Sequence, residues 1–170
     1  MIKSPLIEEK NWPPLQGFSV ALWFQVIKQG ETFGERKPIT LMTLDSKTKA
    51  GKFEIMIYKG IVTVRSAANQ SITFTDFIFK EDRWYHLALV HTSKDQIKLY
   101  VDGILYKQTT LSYPSSHHLT FSCVFGTQGD SNNTPTVSWS LGNFYLFDMP
   151  LEYVVPSVRL AKEKTLTYLQ

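Results

Sequence analysis

Hydrophobic and polar residues alternate with a period of two along almost all of this chain, the repeat of a strand with one buried face. Between residues 18 and 26, Phe18, Val20, Leu22, Phe24 and Val26 share one side, while Ser19, Ala21, Trp23 and Gln25 share the other. The same reading predicts strands over 39–44, 53–58, 61–65, 72–79, 85–91, 97–101, 104–109, 119–125 and 136–147. All are rich in β-branched and aromatic residues, which suit a pleated, half-buried surface. Lys59-Gly60 and Asp102-Gly103 each separate two such runs. Asp-Gly is the stronger signal, because a type I′ hairpin turn needs positive φ at both central residues. Longer polar loops fall at 29–38, 45–52 and 126–135. Roughly ten short strands at near-regular spacing predict two packed antiparallel sheets, with no βαβ unit. Only after Pro156 does the period change: Val158, Leu160 and Ala161 recur at helical spacing, which predicts a short C-terminal helix.

The length of 170 residues fits one domain, taken as 1–170, able to bury a core without covalent staples. Charged residues make up 19% and aromatic residues 14%, a balance that excludes a disordered tail. A net charge of +3 lacks the dense Lys/Arg stripe that a phosphate backbone demands, so nucleic acid is not an expected partner. Cys123 is the single cysteine, so no internal disulfide can form, which points to a reducing compartment. Two sequons, Asn69-Gln70-Ser71 and Asn132-Asn133-Thr134, point the other way; such triplets arise often by chance, and Pro135 follows the second. No apolar stretch follows Met1, so no signal peptide is expected, and no run approaches the ~20 residues that span a bilayer.

Four segments in order carry a resemblance: Gly17-Phe18-Ser19-Val20-Ala21-Leu22-Trp23-Phe24, Arg83-Trp84-Tyr85-His86-Leu87-Ala88-Leu89-Val90, Ile97-Lys98-Leu99-Tyr100-Val101-Asp102-Gly103 and Leu141-Gly142-Asn143-Phe144-Tyr145-Leu146-Phe147. Together they resemble successive landmarks of the laminin-G/concanavalin A-like superfamily. The resemblance implies an all-β, concanavalin A-like jelly-roll sandwich. Trp12-Pro13-Pro14-Leu15-Gln16-Gly17-Phe18, followed later by Trp84-Tyr85 and Val90-His91, looks more narrowly like the concanavalin A-like domain of BEACH-domain proteins, the neurobeachin and lysosomal-trafficking-regulator family. That likeness implies a fragment of a very large cytoplasmic scaffold in vesicle and lysosomal trafficking, peripheral to endosomal or lysosomal membranes through the full-length protein.

Each candidate for chemistry meets a simpler reading. Glucanases of this superfamily place two carboxylates close together on one strand, because nucleophile and acid must converge on one sugar bond. Here Glu54 and Asp76 each stand alone in their strands. His86, His91, His117 and His118 lack the partner spacing of a zinc site; His86 reads as a core histidine and His117-His118 as a solvated loop. Asp130-Ser131-Asn132-Asn133 offers oxygens for calcium but runs into Thr134 and Pro135, so an exposed turn is the simpler reading. Trp23, Trp84 and Trp139 could stack on sugars, yet their strand positions read as core or inter-sheet packing, with Trp12 at the sandwich edge. Lys47, Lys49 and Lys52 form a basic loop, and Cys123 reads as a small core residue without a neighbouring base. No catalytic, metal or cofactor residue is assigned, no cofactor is expected, and no residue is marked as the ligand contact. The expected role is a non-enzymatic interaction module with protein partners or neighbouring domains of the same chain; a lectin is the alternative, with glycan disfavoured.

Overall fold

A computed structural model describes residues 2–3, 14, 16–29, 38–46, 52–66, 70–92, 95–112, 121–126 and 137–151. Within them run eleven strands: β1 Ile2–Lys3, β2 Gly17–Gln29, β3 Ile39–Ser46, β4 Lys52–Tyr58, β5 Ile61–Ser66, β6 Ser71–Phe74, β7 Trp84–Thr92, β8 Gln96–Val101, β9 Ile104–Thr110, β10 Phe121–Phe125 and β11 Val137–Phe147. They form a six-stranded sheet, β1-β10-β3-β4-β5-β6, and a five-stranded sheet, β11-β2-β7-β8-β9. Every strand pair is antiparallel. This is the expected jelly-roll sandwich. The C-terminal helix expected after Pro156 lies outside the described residues.

The sheets pack because each turns one parity of its strands inward. From β2 come Phe18, Val20, Leu22, Phe24 and Val26; from β7, Tyr85, Leu87 and Leu89; from β4, Phe53, Ile55 and Ile57. All are buried, and each such aliphatic or Phe side chain contributes about 1.5–3 kcal/mol through loss of hydrated surface. Ring contacts join the layers: Phe18 meets Phe53 edge-on at 5.3 Å, and Phe125 lies 3.8 Å from Phe144. Both predicted hairpins have the backbone their turns require. Lys59 and Gly60 have φ of 50° and 74°, and Asp102 and Gly103 have 51° and 82°.

Two elements differ from the sequence reading. Strand pairing ends at Phe74 and does not run on to Phe79. A turn at Thr75-Asp76 releases the chain from the sheet edge, and Phe77 and Phe79 then fill the gap between the layers beside Tyr85. Phe77 also meets Tyr106 at 4.8 Å. This crossover is bonded to both sheets, through Phe79 N–H to the Gly60 carbonyl and Asp82 N–H to the Val26 carbonyl. The Lys107–Asp76 ion pair ties it to β9. Strand β1 was not expected, since two residues carry no periodicity.

Candidate partner-docking face

The outer faces of the two sheets differ in chemistry. On the six-stranded sheet the outward face carries polar side chains paired with one another, with Met56, Tyr58 and Ile61 beside them at the β4–β5 hairpin. The Thr63 and Thr73 hydroxyls lie 3.2 Å apart across β5 and β6, and Ser122 donates to the Asp45 carbonyl. Glu54, the lone carboxylate of β4, is bonded by Lys52 at 2.7 Å and Arg65 at 3.6 Å. Its oxygens are engaged by cations, and Asp76 sits at the other end of this sheet against Lys107 at 2.9 Å.

The five-stranded sheet presents rings. Register places Tyr145, Ala21, Ala88, Tyr100 and Leu105 in one row across β11, β2, β7, β8 and β9. In the next row Trp23 pairs with His86, their rings 5.2 Å apart and edge-on. Trp84 follows, opposite Gln25. A Cβ added at Gly142 would lie 3.0 Å from the Trp23 Cβ and 3.4 Å from the Trp84 ring, so the missing side chain lets both indoles lie against β11. Trp84 is 42% and Tyr145 51% exposed, amounts that a closed core does not leave. Exposed rings grouped on one face mark an interaction surface, whereas scattered ones need no explanation.

This arrangement corrects the reading of Trp23 and Trp84 as core residues. Strand parity assigns them to the outward side, with Ser19 and Ala21 and with Ala88 and Val90. Trp139 does pack against the core, as expected. His86 is buried, as expected, but on the outward side of β7. Its backbone N–H donates to the Asp102 carboxylate at 3.0 Å, and the Asp102 N–H returns a bond to the His86 carbonyl. Arg83 approaches the same carboxylate at 3.7 Å. The Asp102-Gly103 turn is thereby fastened to the start of β7, which gives a physical reason for the two landmark segments to occur together.

The histidine inside the core is His91. Its Nε2 lies 2.8 Å from the Leu111 carbonyl, and its ring stacks on Phe18 at 5.4 Å. Burial holds this imidazole below its ordinary value, outweighing the Leu111 bond and the Asp95 charge that act the other way. Parity with Tyr85, Leu87 and Leu89 was the available signal. Cys123 is buried, and burial pushes its thiol up to about 12, fitting a core residue with no thiolate to offer. No group of three metal-ligating side chains occurs among the described residues, and no helix among them is long and apolar enough to cross a membrane. Trp12, His117, His118, Lys47, Lys49 and the Asp130-Ser131-Asn132-Asn133 loop lie outside the described residues.

Comparison with known proteins agrees with this architecture. A family model described as the concanavalin A-like lectin/glucanases superfamily matches residues 5–152. Among curated proteins, the chain is 25% identical to Protein SPIRRIG of Arabidopsis thaliana over 175 residues, covering 82% of this chain and 5% of that protein. It is 23% identical to BEACH domain-containing protein A2 of the same plant, covering 70% of this chain and 4% of that protein. Among solved structures, it resembles a botulinum neurotoxin type C, described as entering cells through interaction with two ganglioside molecules. There the TM-score is 0.61 at 15% identity, covering 88% of this chain and 36% of that one. The binding domain of neurotoxin DC in complex with rat synaptotagmin II gives 0.59 at 13%, covering 88% and 36%. At such identities the solved structures speak for the fold alone. With the motif segments, the two-sheet topology and the family match in accord, this chain belongs to the concanavalin A-like lectin/glucanases superfamily, and its curated relatives are BEACH-domain proteins.

Proposed function

We propose that this domain is a non-catalytic interaction module of a large BEACH-family protein in vesicle and lysosomal membrane trafficking, and that its working surface is the outer face of the five-stranded sheet. The observation that carries the reading is the contrast between the two outer faces. One carries the bonded Thr63–Thr73 and Lys52–Glu54–Arg65 groups with Tyr58 at its hairpin end, and the other gathers Trp23, Trp84, Tyr100 and Tyr145. Tyr and Trp supply large contact area at little entropic cost, and they dominate protein interfaces for that reason. Glu54 held by Lys52 and Arg65, and Asp76 held by Lys107, are engaged as ion-pair partners, which supports a non-enzymatic role. The whole domain, 1–170, acts as one unit of the longer protein. A buried, unreactive Cys123 suits a cytoplasmic setting, and contact with endosomal or lysosomal membranes comes through the full-length scaffold.

The test is affinity capture on the full-length protein, comparing wild type with Trp84→Glu plus Tyr145→Glu, and with Thr63→Glu plus Thr73→Glu on the opposite face. The proposal expects the first pair to lose partners and the second to keep them; the reverse outcome overturns it.

A second reading is favoured by one observation: outward indoles are also the rings on which sugars stack, and a structural relative is described as interacting with gangliosides. A glycan array separates the readings. An interaction module shows no glycan binding tighter than about 1 mM, worth only ~4 kcal/mol. Saturable micromolar binding lost in Trp84→Ala makes the domain a lectin.

A further inference from the structure

No carboxylate occurs in any strand of the ring-bearing sheet, β11, β2, β7, β8 or β9. On the other sheet β3 holds Asp45 and β4 holds Glu54. The outward rings are themselves donors, since an indole N–H only donates and a phenol O–H donates readily. Trp23, Trp84, Tyr100 and Tyr145 therefore make this outer face rich in donors. Its side-chain acceptors are neutral groups, such as the Gln25 amide opposite Trp84. The Ser19 hydroxyl is already occupied, donating to the Met149 carbonyl and accepting from the Leu151 N–H. Nor does the main chain supply acceptors over β2, β7 and β8, because each lies between two strands and its carbonyls belong to the ladders.

That imbalance selects the chemistry of an occupant. An ordinary peptide laid on this face buries N–H groups that find no acceptor, and each such group carries a desolvation penalty. Proline has no N–H, and a polyproline II segment makes no internal hydrogen bonds, so its carbonyls stay free to accept. Its apolar rings pack on aromatic side chains, the contact by which proline-rich segments are commonly held. Charge does not favour an acidic peptide instead. Lys107 is met by Asp76 and Arg83 by Asp102, and Glu81 and Asp82 stand just ahead of Trp84.

The dimensions agree. Trp84 and Tyr145 are the most open of the four rings. Tyr145 pairs with Ala21 and Trp84 with Gln25, four residues further along β2. The two rings are thus rooted about 14 Å apart along the strands and two strand spacings, about 10 Å, across them. Six residues of polyproline II, at about 3.1 Å each, cover that diagonal. We infer that the outer face of the five-stranded sheet holds a proline-rich segment in the polyproline II conformation, laid between Trp84 and Tyr145. The inference rests on the reading of this face as the working surface and adds the class of segment that it holds.

The test titrates the 170-residue chain with three decapeptides by calorimetry: oligoproline, alternating glutamate and leucine, and alternating glycine and serine. Oligoproline should bind saturably and at least about tenfold more tightly than the other two, a difference of about 1.4 kcal/mol. Trp84→Glu should weaken it by a similar factor, and Thr63→Glu plus Thr73→Glu should not. Where Trp84→Glu melts early, Tyr145→Ser serves in its place. Preference for the glutamate–leucine peptide, or no saturable binding of oligoproline, overturns the inference, as does oligoproline binding that neither substitution weakens. A dimer in sedimentation that Trp84→Glu disperses assigns the face to a second copy and overturns it as well. The reading of the face fails separately, when Trp84→Glu plus Tyr145→Glu keeps its captured partners in the full-length protein.

Discussion

At the scale of single residues, position on the pleat decides what each ring contributes. Tyr85 is buried at the centre of a ring cluster with Phe77 and Phe79, so Tyr85→Ala should cost about 3–5 kcal/mol in a urea melt. Its chain neighbour Trp84 is 42% exposed, and Trp84→Ala should cost no more than about 1 kcal/mol. Equal losses would contradict the facing assigned here. His91 makes a pH-dependent contribution whose sign follows from its burial. In the unfolded chain the imidazole titrates near 6.5, and in the folded state burial keeps it lower. As pH falls below 6.5 the unfolded chain binds the proton first, so stability is intact above that pH and declines below it until the folded-state value is reached. Urea midpoints at pH 7.5 and 5.5 measure this. His91→Leu should be less stable at both, by about 1–3 kcal/mol for the stranded Leu111 carbonyl, but with a smaller drop on acidification. A drop as large as in wild type would place the titration elsewhere.

At the scale of elements, the turn glycines explain why the strands begin and end where they do. Gly17 opens β2 with φ of 101°, and a Cβ there would lie 2.1 Å from the His91 carbonyl oxygen. Gly17→Ala should therefore cost well over 1 kcal/mol, since both the backbone angle and the space are wrong. At Gly142 the nearest atom is the Trp23 Cβ at 3.0 Å, and the alanine should cost less while shifting tryptophan emission. Emission unchanged by Gly142→Ala would separate the indoles from β11. Most of these elements were legible in the sequence. Period-two alternation set strand positions to within a few residues, and Lys59-Gly60 and Asp102-Gly103 marked their hairpins through positive φ. The crossover after Phe74 was not legible, because Phe77 and Phe79 look like strand residues until the turn at Thr75-Asp76 breaks the ladder. Trp84 was misread for a related reason. Every residue from Tyr85 to His91 is buried, because β7 is central and covered on both sides, so composition cannot say which side is the core.

At the scale of the whole molecule, a sandwich needs only its inner faces apolar; the rest is free for recognition. The six-stranded sheet uses its outer face for threonines and the Lys52–Glu54–Arg65 group. The five-stranded sheet keeps rings there, gathered from three separate landmark segments: Trp23, Trp84 and the gap at Gly142. Those residues were visible in the sequence, but their meeting on one outward face depends on the strand order β11-β2-β7, which alternation does not encode. The chain covers 5% of SPIRRIG, so in that relative the matching region is a small part of a long protein. Lysine cross-linking of the full-length protein, read by mass spectrometry, tests the central claim most directly. The account predicts links from partners or other domains to Lys98, on the outer face of the five-stranded sheet, that disappear in Trp84→Glu plus Tyr145→Glu. Links concentrated instead at Lys52, on the six-stranded face, and unchanged by those substitutions would contradict it.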